Sequence, residues 1–236
     1  MIWHWRICSS AVFAVALGAA TVSGNVGLRD SREPRVAKKL DYSGVVVWLE
    51  PVSGSVRPSP APERAVMVQK NKTFTPHVLA VPTGSIVEFP NSDPIFHNAF
   101  SNYNGQIFDI GLYAPGTSRS VQFSRPGIVR VFCNIHADMS AVIAVLNTPW
   151  FAVTGRDGKF TIAGVPPGEY TLRFFHERAT AATLDSVAER IAVGGPPVVV
   201  PAVDISESGY LPIPHKNKYG RDYGPAPDTG YNSVRQ

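Results

Sequence analysis

The chain has 236 residues, of which 44% are apolar and 17% charged, with a formal net charge of +4. That apolar share builds a substantial core, and so mild and scattered a charge excludes nucleic acid as a partner. Its 21 prolines and 20 glycines exclude long helices and predict an all-β fold of short strands joined by tight turns.

Residues 1–24 (MIWHWRICSSAVFAVALGAATVSG) carry Arg6, then an apolar run from Ala11 to Ala20, then small residues. This is the pattern of a secretory signal peptide, with cleavage expected after Ala20 or Gly24 and a periplasmic location. The run is shorter than the roughly 20 residues that cross a bilayer, so no stable membrane span is expected after cleavage. Cys8 precedes the apolar run, which argues against a lipoprotein signal. Its removal leaves Cys133 as a lone exported cysteine, pointing to an intermolecular bond, a reactive thiol or a protected ligand.

Residues 25–65 read as a polar linker interrupted by one buried strand at 44–50 (GVVVWLE) and closed by a Pro- and Ser-rich connection. From 66 to 147 short strand-like runs follow one another, among them HVLAVP, SIVEFP, SRSVQFS, GIVRVF and AVIAVL. Turn signals separate them at Pro82-Thr83-Gly84, Asn104-Gly105, Pro115-Gly116 and Pro126-Gly127, and the spacing predicts a Greek-key sandwich or barrel. Residues 148–205 predict a second β unit. There Asp157-Gly158 between two apolar runs predicts a hairpin, VPPGEYTLRFF a further strand, and the Ala-rich stretch 179–187 one helical turn. From 206 to 236 the chain is polar with little aliphatic content and is expected to be a flexible tail.

Cys133, His136 and Met139 place a thiolate, an imidazole and a thioether within seven residues, on a loop between two strand-like runs. His97, at the end of another run, is the candidate fourth donor. Thiolate and thioether favour Cu(I), while imidazole serves both oxidation states. Two His and one Cys with a weak axial Met define the blue-copper electron-transfer set. One copper ion cycling between Cu(I) and Cu(II) is the cofactor this set predicts. Met139 is the candidate for the axial position, because Met1 leaves with the signal and Met67 lies in a distant strand. Zinc competes for such donors, but it would want a stronger fourth ligand, and Asp138 could supply one only by distorting the loop. No nucleophile elbow, phosphate loop or zinc-protease helix motif occurs. No catalytic residue is assigned, and the chain is not expected to be an enzyme.

These residues carry a resemblance. FTPHVLAVPTGSIVEFPNSDPIFHNAFS and FSRPGIVRVFCNIHADMSAVIAVL resemble the cupredoxins, in particular amicyanin, plastocyanin and pseudoazurin. The shared features are the F-x-P start, the Gly before a strand ending in Phe-Pro-Asn, the His-Asn pair and the Cys-x2-His-x2-Met spacing. The resemblance covers about 80 residues. It implies His97, Cys133 and His136 as equatorial ligands, Met139 as the axial ligand, and Asn98 as a hydrogen-bonding tie between the ligand loops. TGRDGKFTIAGVPPGEYTLRFFHE resembles the carboxypeptidase regulatory-like, transthyretin-like β-sandwich, a domain that is structural or interaction-bearing. GVVVWLEP looks like an earlier strand of the same module, with the cupredoxin inserted after it. The combination resembles bacterial proteins labelled methylamine-utilisation or plastocyanin-like.

The function expected first is single-electron transfer between periplasmic redox partners such as a dehydrogenase or a cytochrome. A copper carrier or storage protein without redox turnover, and a structural β-sandwich protein, are the alternatives. Among lesser signals, His77 reads as packed or half-exposed, His176 as a surface residue at a strand end, and His215 as part of the tail. Asn71-Lys72-Thr73 matches a glycosylation sequon. The tail tyrosines Tyr210, Tyr219, Tyr223 and Tyr231 read as disordered or as docking groups, and Asp204 and Glu207 as loop carboxylates without a positioned partner.

Overall fold

The computed structural model describes residues 18–52, 61–102, 105–212 and 214–224. The described chain is all-β, with two short helices, Pro34–Ala37 and Ala181–Ser186. Neither is long or apolar enough to cross a membrane.

Period-two alternation builds the first of two sandwiches. In Gly168–Phe175 the side chains of Tyr170, Leu172 and Phe174 turn inward, and in Lys159–Val165 those of Phe160, Ile162 and Val165 do. One sheet runs Phe151–Val153, Val46–Pro51, Gly168–Phe175, Glu189–Val193. The facing sheet centres on Ala20–Arg29, which pairs antiparallel with Lys159–Val165 and parallel with Val198–Val199 and Val203–Ser206. Val22, Val26, Leu49, Trp150, Phe160, Tyr170 and Phe174 fill the space between. Tyr170 is fully buried and its hydroxyl donates to the Pro166 carbonyl at 2.9 Å, fixing the corner where the chain changes sheet.

Two expectations are corrected here. The stretch from residue 25 is not all linker, because Ala20–Arg29 is a central strand and Pro34–Ala37 a helix. Ala20 and Val22 are buried in that strand, so a chain cut after Gly24 would lose part of its core. Asp157-Gly158 does not close a hairpin either. Phe151–Val153 and Lys159–Val165 lie in different sheets, and the turn carries the chain across the sandwich. The helical turn expected within 179–187 is Ala181–Ser186, capped by Thr180, whose hydroxyl accepts the Thr183 N–H.

Residues 64–146 form the second sandwich. Ser118–Gln122, Ile86–Pro90 and Arg64–Val66 make a three-stranded sheet. The other sheet runs Val78–Pro82, Ser140–Leu146, Gly127–Phe132, Phe100–Ser101, Phe108–Asp109, its first pair parallel and the rest antiparallel. Phe74, Val87, Phe89, Phe123, Val129, Val131 and Ile143 pack between them. Of the predicted Pro- and Ser-rich connection, residues 53–60 lie outside the described residues, as does Asn104 of one predicted turn.

A third, smaller cluster joins the two sandwiches. Val46 of the first packs with Ala80, Ala144 and Leu146 of the second, flanked by Trp48, Val78 and Phe151. Beside it runs a polar seam. His77 meets the Glu177 carboxylate at 2.9 Å and the Ser140 carbonyl at 3.1 Å. Arg178 reaches Glu177 at 3.1 Å and forks onto both oxygens of Glu207 at 3.0 Å. His176 is therefore not a surface residue but buried against Glu207 at 2.9 Å, and Glu207 has positioned partners.

Candidate metal centre

Strand register creates the ligand loop. Gly127–Phe132 and Ser140–Leu146 pair antiparallel with Phe132 opposite Ser140, so residues 133–139 must reverse the chain at the end of that ladder. The Cys133 N–H donates to the Met139 carbonyl at 3.1 Å, and the Met139 N–H to the His136 carbonyl at 3.1 Å. These bonds set Cys133 and Met139 side by side at the mouth of the loop and raise His136 between them. His97 arrives from the neighbouring strand side. Phe100 pairs with Phe132, and His97 itself exchanges backbone hydrogen bonds with Tyr113 at 3.2 and 2.9 Å.

The result is a convergence of three buried donors. His97, Cys133 and His136 each offer one ligand atom, and these atoms lie within 4.8 Å of one another. The Cys133 sulfur is 3.8 Å from His97 Nδ1 and 3.7 Å from His136 Nδ1. Metal–nitrogen and metal–sulfur bonds of about 2.0 and 2.3 Å, set at trigonal angles, place sulfur and nitrogen about 3.7 Å apart. The two sulfur–nitrogen distances thus fit a single ion bound between the sulfur and each imidazole. The cluster is the one such group among the described residues.

Met139 is buried in the same core cluster as Cys133, whereas Asp138 is exposed. The loop therefore keeps the Met139 thioether inside the core and turns the Asp138 carboxylate to water. That donor set fits copper better than zinc.

The surroundings hold the donors in place. Asn98 accepts the Asn134 N–H on its Oδ1 at 2.9 Å and donates through Nδ2 to Asp109 at 2.8 Å. It ties the two ligand segments together, as the resemblance implies. His97 Nε2 meets Asp93 Oδ2 at 2.7 Å, and Asp93 also accepts the backbone N–H groups of Asn71 and Lys72. With Nε2–H donated to this carboxylate, Nδ1 keeps its lone pair for the centre. Asn71 of the sequon is therefore part of a turn with positive φ that cradles Asp93.

Burial sets the electrostatics. It pushes the Cys133 thiol up, against the backbone N–H groups of Ile135, Asn98 and His136 that face the sulfur. It pushes His136 down to about 4, with the neighbouring His97 acting in the same direction. His97 is also lowered by burial, opposed by its bond to Asp93. A bound cation offsets the cost of a buried thiolate and accepts the two neutral imidazoles.

The fold is all-β, and its central unit is a two-sheet β-sandwich. No family model matches the chain, and no curated protein matches it. Among solved structures it is similar to a copper-containing nitrite reductase from Thermus scotoductus SA-01, with 27% identity over 41% of this chain and a TM-score of 0.34. The matched part spans 25% of that enzyme. It is similar to a purple cupredoxin from Nitrosopumilus maritimus, with 22% identity, 35% of this chain, 99% of that one and a TM-score of 0.32. A reduced Cu(I) form of amicyanin gives 16% identity over 42% of this chain and 98% of that one, with a TM-score of 0.33.

Two features of the site were not legible in the sequence. Asp93 stands before a proline in a loop and reads as a turn residue. The expected tail is the other. His215, Lys218 and Tyr223 are bonded to the ligand loop.

Proposed function

We propose that this chain is a periplasmic copper protein that carries single electrons between redox partners. The observation that carries the reading is the convergence of His97 Nδ1, Cys133 Sγ and His136 Nδ1 in one buried cluster. A copper ion held there supplies a one-electron couple at a site that need not rearrange between oxidation states. The protein's part is to hold that geometry. The paired strands fix Cys133, the bridge to Tyr113 and the Asp93 carboxylate fix His97, and the loop's own hydrogen bonds fix His136. Met139, buried beside Cys133, is the proposed axial donor.

The depth of the site favours a resident ion over a delivered one. Cys133 and His97 are wholly buried, and handing over a metal by ligand exchange requires access to the donors. The first sandwich has no His/Cys/Asp/Glu metal cluster among the described residues, and we assign it a structural or docking role. Export rests on the apolar segment from Ala11 to Ala20. Of the two proposed cleavage points, the one after Ala20 keeps the buried Val22 in the exported chain. Partners are redox proteins of the same compartment, of the dehydrogenase or cytochrome kind.

The test is the visible absorption spectrum after adding Cu(II) to the purified protein, beside Cys133→Ala. An intense thiolate-to-copper band, absent in the variant, supports the reading. No band in a folded parent protein overturns it.

A further inference from the structure

The C-terminal segment reaches back over the metal centre, and its inward bonds have a common destination. The Tyr223 hydroxyl donates to the Cys133 carbonyl at 2.8 Å. The Lys218 N–H donates to Asn134 Oδ1 at 3.0 Å. His215 Nε2 donates to the Ala137 carbonyl at 2.6 Å, while its ring stacks on Phe132 with centroids 4.0 Å apart. Lys218 Nζ meets Asp109 Oδ2 at 2.7 Å, the same carboxylate that holds Asn98 beside His97. Three points along the ligand loop, and the tie to the other ligand segment, are thus held from outside by one stretch of ten residues, 214–223.

None of this serves the packing of either sandwich. Among the described residues, none beyond Ile205 belongs to a hydrophobic core cluster. A segment held by polar bonds and one stacked ring contributes little to global stability, yet it acts on any local opening of the loop that must break those bonds. Cys133 is fully buried, so a reagent or chelator reaches its sulfur only through such an opening.

We propose that residues 214–223 are a strap completing the metal centre: they hold loop 133–139 closed and set how fast the Cys133 sulfur and its bound ion exchange with solvent. His215, Lys218 and Tyr223 are positioning residues that act through the loop backbone, and their role in ion exchange rests on the copper reading above.

The test compares three proteins in a Cys8→Ser background, where Cys133 is the sole thiol: the parent chain, the His215→Ala/Tyr223→Phe double variant, and a chain ending at Pro212. The first readout needs no metal. The rate at which an aromatic disulfide reagent modifies Cys133 in the metal-free proteins is expected to rise about tenfold or more in both variants, with the melting temperature little changed. The second is the rate at which a Cu(I) chelator strips the copper-loaded proteins, expected to rise in parallel. Thiol rates equal to the parent's in both variants would overturn the strap, whatever the copper spectra show. A parent chain without a copper band would instead sink the functional reading, while the metal-free thiol rates still decide the strap.

Discussion

The Asp93 carboxylate and the imidazole of His97 stand 2.7 Å apart with both side chains wholly excluded from solvent. A buried carboxylate is costly unless fully bonded. Asp93 meets that condition by accepting the Asn71 and Lys72 N–H groups besides His97 Nε2. The arrangement orients the ring and makes its other nitrogen a stronger donor.

Replacing Asp93 by Asn keeps the shape and removes the charge. Cu(II) affinity is expected to fall about 10- to 100-fold. Cu(I) affinity, less dependent on donor charge, falls less, so the reduction potential rises. Competition titrations in both oxidation states, with voltammetry, check this. Equal losses in both states with an unchanged potential would show that Asp93 acts only on the fold.

Met139 allows a cleaner separation of ligand from core residue. Leucine occupies nearly the same volume, and such swaps in a core cost less than about 1.5 kcal/mol. Met139→Leu is therefore expected to fold, retain copper and keep the thiolate band, with a raised potential because a thioether no longer approaches the ion. A potential identical to the parent's would remove Met139 from the ligand set and leave it a core residue beside Cys133.

The loop 133–139 was legible in the sequence because Cys133, His136 and Met139 fall within seven residues and are flanked by two recognisable strands. Other parts were hidden for physical reasons. Ala20–Arg29 contains Gly24, Asn25 and Gly27, which interrupt any apolar alternation. Yet Gly24 is needed there, since a Cβ would stand 2.5 Å from Val200 and 2.8 Å from Phe160. The Asp157-Gly158 pair did mark a turn, but a turn signal does not say which sheet each flanking strand joins. The strap escaped notice because backbone carbonyls of the ligand loop hold it, and such bonds leave no periodicity in composition.

The seam between the sandwiches predicts acid sensitivity. Burial alone would raise Glu177 and Glu207. Hydrogen bonds outweigh it, from His77 to Glu177 and from His176, Arg178 and Ser31 to Glu207, and bring each to about 2. The unfolded chain binds these protons near the ordinary value of 4.5, the folded chain only near 2. Below that ordinary value the unfolded state takes up more protons, so stability falls. The contribution is complete above it and gone below the folded value. Each carboxylate contributes on the order of 3 kcal/mol at neutral pH. Urea melts between pH 6 and pH 3 are expected to show a steep loss of stability, shallower in Glu207→Gln. A parallel slope in that variant would place the acid sensitivity elsewhere.

Gly158 tests how the chain crosses between the two sheets of the first sandwich. Its φ is +74°, a left-handed conformation that costs a residue with a Cβ roughly 1–3 kcal/mol. A Cβ there would also run into the Val26 carbonyl oxygen, and the Gly158 carbonyl accepts the Val26 N–H at 2.9 Å. The turn is thus fastened to the middle of the central strand, and neither partner can withdraw without breaking that bond. Gly158→Ala is expected to destabilise the protein by at least about 2 kcal/mol. The shift in the denaturation midpoint measures it. The thiolate–copper band of the folded protein should be unchanged, because the turn belongs to the other sandwich. A variant as stable as the parent would mean that the turn is free to rearrange, and that the Val26 bond does not hold the crossing.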